Sequence, residues 1–273
     1  MKNDKKEWLF VNVLITGAAS GIGRAAAERF LARGHRVFGI DRSAAEGFPC
    51  FTADITDEAA LVKVREKLEA GGITLDAILN IAGMHIMASL VECDHQKMKR
   101  AVDVNLTGTI LVNRVFHRCL KEDGRILIVT SEVAGLDPLP FNGLYSVTKT
   151  ALDAYAQALR QELNLLGQKV ITVRPGAVET PLCSGSVTAT ADLADSTELY
   201  KKQAKSFSGL AAKFMGRPIK AEKLGALLCK AAAAKHPRYT YKIHRNPGLV
   251  LLSALPKAWQ CGIIKFLLNL GIF

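Results

Sequence analysis

The sequence predicts an α/β domain built on a doubly wound parallel sheet. Two observations indicate this class: six apolar, β-rich segments alternate with helical patterns, and the segments are apolar throughout rather than at every second residue. Strands of this kind are typical of a parallel sheet covered by helices on both faces, and the alternation of strands and helices is typical of doubly wound topology. Such sheets bind ligands at the carboxyl ends of their strands, so we expect the site at that edge.

The predicted elements alternate along the chain. The strands are Leu9–Thr16, Arg36–Asp41, Cys50–Thr56, Leu75–Gly83, Gly124–Ser131 and Lys169–Gly176, with a short one near Tyr239–Ile243. The helices are expected from about Ile22 to a glycine C-cap near Gly34, near residues 57–69, 94–118 and 145–166, and over Ala221–Lys235.

Two later segments depart from this alternation. Residues 183–210 are rich in Ser, Thr and Ala and lose clear periodicity, which predicts a mobile excursion that covers the substrate. Residues 246–273 are strongly apolar, but Pro256 and two lysines interrupt them, so a membrane-spanning helix is not predicted. We expect one domain, with a catalytic part at 1–245 and an apolar helical extension at 246–273.

Composition excludes several classes of function. The 273 residues are 49% hydrophobic and 22% charged, which is ordinary for a globular protein. The formal charge of +11 is compatible with acidic partners, but no basic run is interleaved with aromatics, so nucleic acid is not an expected partner. The six histidines lack metal-ligand spacing, so no metal is expected. Six scattered cysteines and the lack of a signal sequence predict a cytoplasmic protein with reduced thiols.

The segment "TGAASGIG" at 16–23 lies between the first strand and its helix. Gly17, Gly21 and Gly23 allow a phosphate to approach the backbone, where the helix N-terminus favours an anion and the Ser20 hydroxyl adds a donor. The spacing differs from the commoner G-x-G-x-x-G of dinucleotide-binding folds. A plain tight turn remains an equally good interpretation of the glycines alone.

Asp41 strengthens the cofactor interpretation. It ends the second strand, where a carboxylate accepts hydrogen bonds from ribose hydroxyls and repels a 2′-phosphate. We therefore predict NAD rather than NADP. Arg42 leaves the choice open, because an arginine beside the site pairs with such a phosphate, and a helix N-cap is the alternative role for Asp41.

The segment "YSVTK" carries the predicted chemistry. Tyr145 and Lys149 lie at i and i+4 on a predicted helix, so their side chains share one face. A nearby ammonium stabilises a phenolate and lowers the pKa of the tyrosine, as does a cationic nicotinamide ring. Tyr145 is then expected to exchange a proton with a substrate hydroxyl or carbonyl. The pattern is common by chance, so its weight comes from the other motifs.

With these motifs the chain resembles the short-chain dehydrogenase/reductase family over roughly residues 8–245, which implies a Rossmann-type, doubly wound fold. "ADIT" (53–56), "NIAG" (80–83), "VNLTG" (104–108) and "RPGAVETP" (174–181) stand in the family's order, with Ile81 replacing the second asparagine of NNAG. The resemblance implies cofactor contacts from Gly17, Ser20, Gly21, Ile22, Gly23, Asp41, Asp54, Ile55, Asn80, Ala82, Gly83, Tyr145, Lys149, Pro175, Gly176, Val178 and Thr180.

The resemblance also implies a mechanism in which hydride moves between a nicotinamide and a carbinol carbon. Tyr145 would be the acid/base, and Ser131 would orient the substrate oxygen. Lys149 would lower the pKa of the tyrosine and bind the nicotinamide ribose, while Asn105 would anchor a proton relay.

Ser131 departs slightly from the family pattern. It precedes Tyr145 by fourteen positions, one more than the commonest spacing, and "TSEVAG" replaces the usual pair of serines. Glu132 would be a poor hydrogen-bond donor to a carbonyl. We therefore keep Ser131 as the expected donor, with Thr130 as its substitute.

The substrate is less well defined by the sequence. The tail resembles short-chain dehydrogenases of the hydroxysteroid and retinol type, which favours a hydrophobic alcohol or ketone, preferably a steroid or bile-acid-like molecule. The apolar tail is expected to line a substrate pocket, to contact a membrane peripherally, or to pack on its own domain or a second subunit. His85 follows "NIAG" and is either an ordinary loop histidine or part of the substrate mouth.

Assembly and two rival functions complete the expectations. The helix after Lys149 carries an apolar stripe, and in the family that helix forms a dimer face, so a homodimer or homotetramer is expected.

An acyl-thioester ketoreductase of the fatty-acid or polyketide type would prefer NADPH, against which Asp41 argues. A catalytically silent NAD-binding regulator would not need both Tyr145 and Lys149.

Overall fold

The computed structural model describes residues 11–214 and 218–270, and its centre is a parallel sheet of seven strands. The strands of the protein are β1 Asn12–Thr16, β2 Arg36–Asp41, β3 Cys50–Thr52, β4 Leu75–Asn80, β5 Leu120–Val129, β6 Lys169–Pro175, β7 Val178–Glu179, β8 Ile219–Lys220 and β9 Thr240–Ile243. The order across the large sheet is β3-β2-β1-β4-β5-β6-β9, while β7 and β8 pair separately. The order reverses between β1 and β4, which places a crevice at the carboxyl ends of those strands.

Helices cover both faces of the sheet. They are α1 Gly21–Leu31, α2 Glu58–Ala70, α3 His95–Val102, α4 Gly108–Phe116, α5 Gly143–Asn164, α6 Pro181–Ala191, α7 Lys201–Phe214, α8 Ala221–Ala233, α9 Pro247–Ser253 and α10 Lys257–Leu270. Successive residues of β1 point to opposite faces, so Leu14 enters the core beneath α2, α4 and α5 while Ile15 enters the core beneath α1 and α8. Both side chains are fully buried, which confirms the predicted two-sided parallel sheet.

The predicted loop at 183–210 is wrong. Most of this segment lies in α6 and α7, which meet through a turn at 192–200. Thr180 accepts a hydrogen bond from Cys183 N at 3.2 Å and so caps α6, with Pro181 in its first turn. The turn is held by Glu92, which accepts from Glu198 N at 2.7 Å and from Leu199 N at 3.0 Å. Glu92 is distant in sequence from this turn, yet its carboxylate holds it in place. The composition of residues 183–210 alone predicts no helical periodicity.

The helix predicted over 94–118 is interrupted. A π-helical turn, Asp103–Thr107, separates α3 from α4 and inserts extra residues into the helical repeat. Such turns re-aim side chains and occur often at functional sites. The strand predicted from Cys50 ends at Thr52, because the Asp54 carboxylate accepts from Thr56 N at 2.9 Å and turns the chain.

Residues 247–270 form two further helices, α9 and α10, and α10 packs against α7. Asn246 caps α9 by accepting from Gly248 N and Leu249 N, at 2.9 and 3.2 Å. Asp137 anchors the pair: its carboxylate accepts from Gln260 at 2.8 Å, and its backbone N–H donates to Ser253 Oγ at 2.9 Å. Among the described residues, none of the helices has both the length and the apolar character that crossing a membrane requires.

Candidate active site

The glycine loop links β1 to α1 at the carboxyl edge of the sheet. Gly17 and Gly21 have φ angles of +70° and +52°, a region that other residues rarely adopt. A Cβ atom on Gly23 would lie 1.9 Å from the Gly17 carbonyl oxygen, so only glycine allows this turn. Ser20 is the N-cap of α1 but its side chain makes no capping hydrogen bond, so the hydroxyl is available to a ligand. The loop thus presents bare backbone and a helix N-terminus to the crevice.

Asp41 lies beside this loop at the end of β2. Its Oδ2 accepts from Ala19 N and its Oδ1 from Ser43 N, both at 3.0 Å. These two bonds hold the carboxylate in one orientation and leave a lone pair on each oxygen. Arg42, which is exposed, lines the same crevice. Asp41 is predicted to exclude a 2′-phosphate and Arg42 could attract one. The structure places both residues at the same part of the crevice.

Asp54 and Ile55 form the next part of the wall. Arg100 donates to the Asp54 carboxylate at 2.7 Å, across 46 positions of sequence. Burial alone would raise the pKa of Asp54, but the hydrogen bonds from Arg100 and Thr56 outweigh it and lower the pKa to about 2. Sequence reasoning missed Arg100, because nothing in its surroundings distinguishes it from an ordinary surface cation on a helix.

The "NIAG" loop is tied to its neighbours by buried polar side chains. Asn80 donates through Nδ2 to Asn113 Oδ1 at 2.7 Å. Thr16 Oγ1 accepts from Ile81 N at 3.1 Å and from Ala82 N at 3.2 Å, which locks the loop against β1. Ile81 donates to Thr16 through its backbone N–H. An isoleucine side chain can therefore replace the asparagine of NNAG without loss of this hydrogen bond. Thr16 and Asn113 are further positioning residues, and only Thr16 stood within a recognised motif.

Tyr145 and Lys149 lie in the first two turns of α5, as their spacing predicts. Lys149 Nζ is 5.8 Å from the centroid of the Tyr145 ring and donates to Val129 O at 3.3 Å. Tyr145 is hydrogen-bonded to the side chain of Ser131, which follows the end of β5. These three side chains therefore meet at one point of the crevice.

Thr130 and Glu132, the neighbours of Ser131 in sequence, make contacts away from Tyr145. Thr130 Oγ1 lies 3.5 Å from Asp153 Oδ1 and from Val173 O, and it is fully buried. Glu132 accepts from Asn246 N at 2.6 Å and so helps to hold the start of α9. Of the three candidate positions, Ser131 is the one that contacts Tyr145.

The lowering of the Tyr145 pKa by Lys149 and a bound nicotinamide stays a prediction, and in the protein itself burial acts in the opposite direction. Burial raises the pKa of Tyr145 to about 12, and the hydrogen bond with Ser131 opposes the change only partly. Burial also lowers the pKa of Lys149 to about 8. Both shifts have one physical cause, since a low-dielectric crevice disfavours whichever form is charged. The spacing indicated that the two groups are neighbours, but it carried no information about their loss of solvent.

Asn105 lies in the π-helical turn behind the reactive groups. Its Oδ1 accepts from Met84 N at 2.8 Å, and its Nδ2 donates to Met84 O at 2.9 Å and to Thr148 Oγ1 at 3.0 Å. The side chain therefore joins the loop after "NIAG" to α5. It does not contact Lys149 directly.

His85 lines the crevice beside Tyr145, which is the position that a residue at the substrate mouth would have. Its ring centroid is 4.5 Å from that of Tyr145, and its Nε2 lies 3.0 Å from Asn142 Oδ1. Burial lowers the pKa of His85, the Asn142 hydrogen bond opposes this, and the ring is expected to be neutral.

The segment after β6 closes the crevice opposite the glycine loop. Gly176 N donates to Ile243 O at 2.9 Å, and a Cβ atom at Gly176 would lie 1.8 Å from His244 O. Thr180 lies against the glycine loop, because a Cβ atom on Gly21 would lie 3.3 Å from its methyl carbon. Both ends of the crevice therefore depend on positions where a side chain would not fit.

These parts enclose one cavity of about 470 Å³. The predicted residues that line it are Gly17, Ser20, Gly21, Ile22, Gly23, Asp41, Asp54, Ile55, Ala82, Gly83, Ser131, Tyr145, Lys149, Pro175, Gly176, Val178 and Thr180. Asn80 and Asn105 are buried behind the wall. The glycine cradle, the helix N-terminus and the Asp41 carboxylate fit a dinucleotide. Residues 11–214 and 218–270 contain no cluster of three or more His, Cys, Asp or Glu that could hold a metal ion.

The comparisons with known proteins find dehydrogenases and reductases. The sequence profile described as "short chain dehydrogenase" matches residues 11–190. A 3-ketodihydrosphingosine reductase of Bacteroides thetaiotaomicron is 27% identical over 254 residues, covering 90% of this chain and 92% of that protein. An NADPH-dependent 1-acyldihydroxyacetone phosphate reductase of Schizosaccharomyces pombe is 33% identical over 183 residues, covering 63% and 61%.

A solved structure of a short chain dehydrogenase has a similar fold. The crystal structure of a short chain dehydrogenase from Burkholderia cenocepacia in complex with NADP has a TM-score of 0.68 and 25% identity, covering 85% of this chain and 95% of that one. With two thirds of its length matched by the family profile, this chain belongs to the short chain dehydrogenase family and is an NAD(P)-dependent oxidoreductase.

Proposed function

We propose that the protein interconverts a secondary alcohol and a ketone on a lipid-like substrate, with NAD as its cofactor. The observation that carries the proposal is the meeting of Tyr145, Ser131 and Lys149 at the wall of the cavity. A phenol that contacts a hydroxyl donor and lies near a cation is suited to move a proton at a carbonyl oxygen. The catalytic part at 1–245 and the extension at 246–273 act as one unit in this proposal.

Each catalytic side chain has one task in the proposed mechanism. Tyr145 gives a proton to the carbonyl oxygen, and Ser131 orients that oxygen by a hydrogen bond. Lys149 stabilises the phenolate that is left, and Asn105 holds the loop that carries Met84 against α5. A bound nicotinamide supplies or accepts the hydride. At neutral pH the Tyr145 phenol carries its proton, so it is able to donate that proton to a ketone.

The residues that would hold the dinucleotide are those that face the cavity. The glycine loop with Ser20 and Ile22 would bind the pyrophosphate, and Asp54 and Ile55 would flank the adenine. Val178 and Thr180 would hold the carboxamide of the nicotinamide. Asp41 would accept from the adenosine ribose, and its charge supports NAD. The Schizosaccharomyces pombe relative is named as NADPH-dependent and the Burkholderia cenocepacia structure holds NADP, so this choice needs a direct test.

Asp41→Ala is expected to raise the ratio of kcat/KM with NADPH to kcat/KM with NADH by about tenfold, which corresponds to about 1.4 kcal/mol. The reason is the loss of a negative charge from the position where a 2′-phosphate would lie. Steady-state kinetics with both cofactors measures the ratio. Arg42→Ala is the matched control and should lower the same ratio. An unchanged ratio in Asp41→Ala, or a wild type that strongly prefers NADPH, would refute the assignment.

The lipid-like substrate is supported by the apolar residues in the cavity wall. Met87, Leu139, Phe207 and Leu249 are among the residues that line the cavity, and their side chains offer apolar surface to a substrate. Two relatives are named as reductases of 3-ketodihydrosphingosine and of 1-acyldihydroxyacetone phosphate, and both names describe lipids. A hydroxysteroid or bile acid is the other hydrophobic candidate.

A substrate panel tests the proposed function. Purified protein is assayed with NADH and NADPH against long-chain ketones, ketosteroids, bile-acid ketones and acyl-carrier thioesters. We expect turnover of a long-chain ketone. Activity only on thioesters would identify a fatty-acid or polyketide ketoreductase, and cofactor binding without any turnover would identify a regulator. We also propose a homodimer or homotetramer in the cytoplasm, which sedimentation and fractionation would test.

A further inference from the structure

The catalytic cavity contains one acidic side chain that the proposed mechanism does not use. The acidic residues that line the cavity are Asp41, Asp54 and Glu132. Asp41 and Asp54 lie at the end of the cavity that would bind the adenosine. Glu132 instead follows Ser131 directly and begins a short 3-10 turn, Glu132–Gly135. Its carboxylate therefore lines the same cavity as the reactive groups but at a different end from the other two acids.

Two contacts fix the position of the Glu132 carboxylate. Its Oε2 accepts a hydrogen bond from Asn246 N at 2.6 Å. Its Oε1 lies 3.1 Å from the point that a Cβ atom on Gly176 would occupy, so it lies over the bare backbone of that glycine. Both Asn246 and Gly176 line the cavity themselves. The carboxylate is thus held against the cavity wall in one orientation.

The charge of Glu132 lacks a close cationic partner. None of the ion pairs formed within residues 11–214 and 218–270 includes Glu132. The hydrogen bond that it accepts from the described residues comes from a backbone N–H. A carboxylate offers about four lone-pair sites, so most of its capacity to accept hydrogen bonds is left for a ligand.

The pKa of Glu132 reflects this incomplete pairing. Burial raises the pKa of this half-buried carboxyl, and the Asn246 N–H together with the charges of Arg245 and His244 opposes the rise without cancelling it. Asp54 differs, because there the hydrogen bonds from Arg100 and Thr56 outweigh burial and lower the pKa to about 2. The comparison indicates what the Glu132 carboxylate lacks, namely a cationic hydrogen-bond donor.

We propose that Glu132 binds an ammonium group of the substrate, so that the substrate is an amino ketone. Ser131 and Tyr145 contact the carbonyl oxygen, and Glu132 Oε1 accepts a hydrogen bond from the ammonium group. Because the Cα atoms of Ser131 and Glu132 are about 3.8 Å apart, we place the amino group on the first or second carbon beside the carbonyl. A hydroxyl group there would supply a hydrogen bond but would leave the charge of Glu132 unbalanced.

A substrate held at two fixed points presents its carbonyl carbon to the cofactor in one orientation. Glu132 is therefore a specificity residue and takes no part in proton transfer. This inference rests on the proposed ketone chemistry and adds the charge that the substrate carries beside the reacting carbon.

Ketones of one chain length test the site in the wild type. They are 2-aminooctan-3-one, 1-aminooctan-3-one, 2-hydroxyoctan-3-one and octan-3-one. The 2-amino and 2-hydroxy ketones have nearly the same shape and differ in charge. A charge-assisted hydrogen bond is roughly twice as strong as a neutral one. We therefore expect kcat/KM for the better amino ketone to exceed that for the hydroxy ketone about tenfold, which corresponds to about 1.4 kcal/mol.

Glu132→Gln removes the charge but keeps an oxygen that can accept from Asn246 N. The ratio of kcat/KM for the amino ketone to kcat/KM for the hydroxy ketone should fall about tenfold in this variant. Glu122→Gln is the matched control, because Glu122 is an exposed glutamate at the other end of β5. It should keep the wild-type ratio.

Two results would overturn the ammonium site. In the first, the wild type reduces these ketones without preferring either amino ketone, a result that does not depend on the folding of any variant. In the second, Glu132→Gln keeps the preference or changes the rates for all the ketones alike, so the carboxylate acts on the fold or on the cofactor. Turnover of none of the ketones would instead overturn the proposed function.

Discussion

Tyr145→Phe is expected to lower kcat by roughly 10²- to 10⁴-fold, the range typical for the loss of a positioned proton donor. The substitution removes one oxygen from a ring that is otherwise held by its contacts with His85 and the first turns of α5. The cavity that would bind the dinucleotide keeps its shape, so NADH affinity should change little. Stopped-flow or steady-state assays measure kcat, and NADH fluorescence measures binding.

The matched control for this experiment is Ser131→Ala. It removes the hydrogen bond to Tyr145 but leaves the phenol in place, so its effect on kcat should be smaller than that of Tyr145→Phe. Wild-type turnover in Tyr145→Phe would show that another group moves the proton. Loss of NADH binding together with turnover would mean that the ring holds the cofactor rather than the proton.

Lys149→Met is expected to abolish most turnover and, at the same time, to stabilise the fold at pH 7. Burial lowers the pKa of Lys149 from 10.5 to about 8, so keeping this lysine charged at neutral pH opposes folding by as much as about 3 kcal/mol. Methionine fills similar space without a charge. Active sites often contain residues that lower the stability of the fold but are needed for activity.

The sign of the pH dependence follows from the direction of this shift. Between about pH 8 and pH 10.5 the unfolded chain binds a proton at Lys149 that the folded chain has lost. The free energy of unfolding of the wild type therefore rises with pH across this window, while that of Lys149→Met lacks this contribution. The advantage of the variant should be largest at pH 7 and should shrink toward pH 10.

Urea unfolding at pH 7 and pH 9 measures the difference, and Lys63→Met on the exposed face of α2 is the control. The control should change neither stability nor activity appreciably. If Lys149→Met is less stable than the wild type at both pH values, the hydrogen bond from Nζ to Val129 O outweighs the cost of burying the charge.

The pKa values change how the catalytic pair is understood. The sequence places Tyr145 and Lys149 on one helical face, and from that spacing alone the cation should make the phenol more acidic. In the structure the loss of solvent is the larger effect on each group, so the phenol is a weaker acid than free tyrosine. The phenol carries the proton that the reduction of a ketone requires, but burial also makes that proton harder to give up, so the stabilisation of the phenolate by Lys149 matters more.

The sequence by itself determined the sheet, the glycine turn and the meeting of Tyr145 with Lys149. These features depend on local rules: apolar continuity predicts burial on both faces, glycine permits positive φ angles, and an i to i+4 spacing aligns side chains on a helix. Each rule acts within a few residues, so one segment carries enough information to apply it.

The tertiary structure alone decided what depends on contacts between distant segments. The helices α6 and α7 replaced an expected loop because Glu92 holds the turn between them, and Arg100 reached Asp54 across 46 positions. An apolar cavity of about 260 Å³ is lined by residues of α7, α9 and α10 together, so it exists only where these helices come together. An apolar segment can fill a core, pair with a partner or border a cavity, and only the packing of its neighbours determines which of these it does.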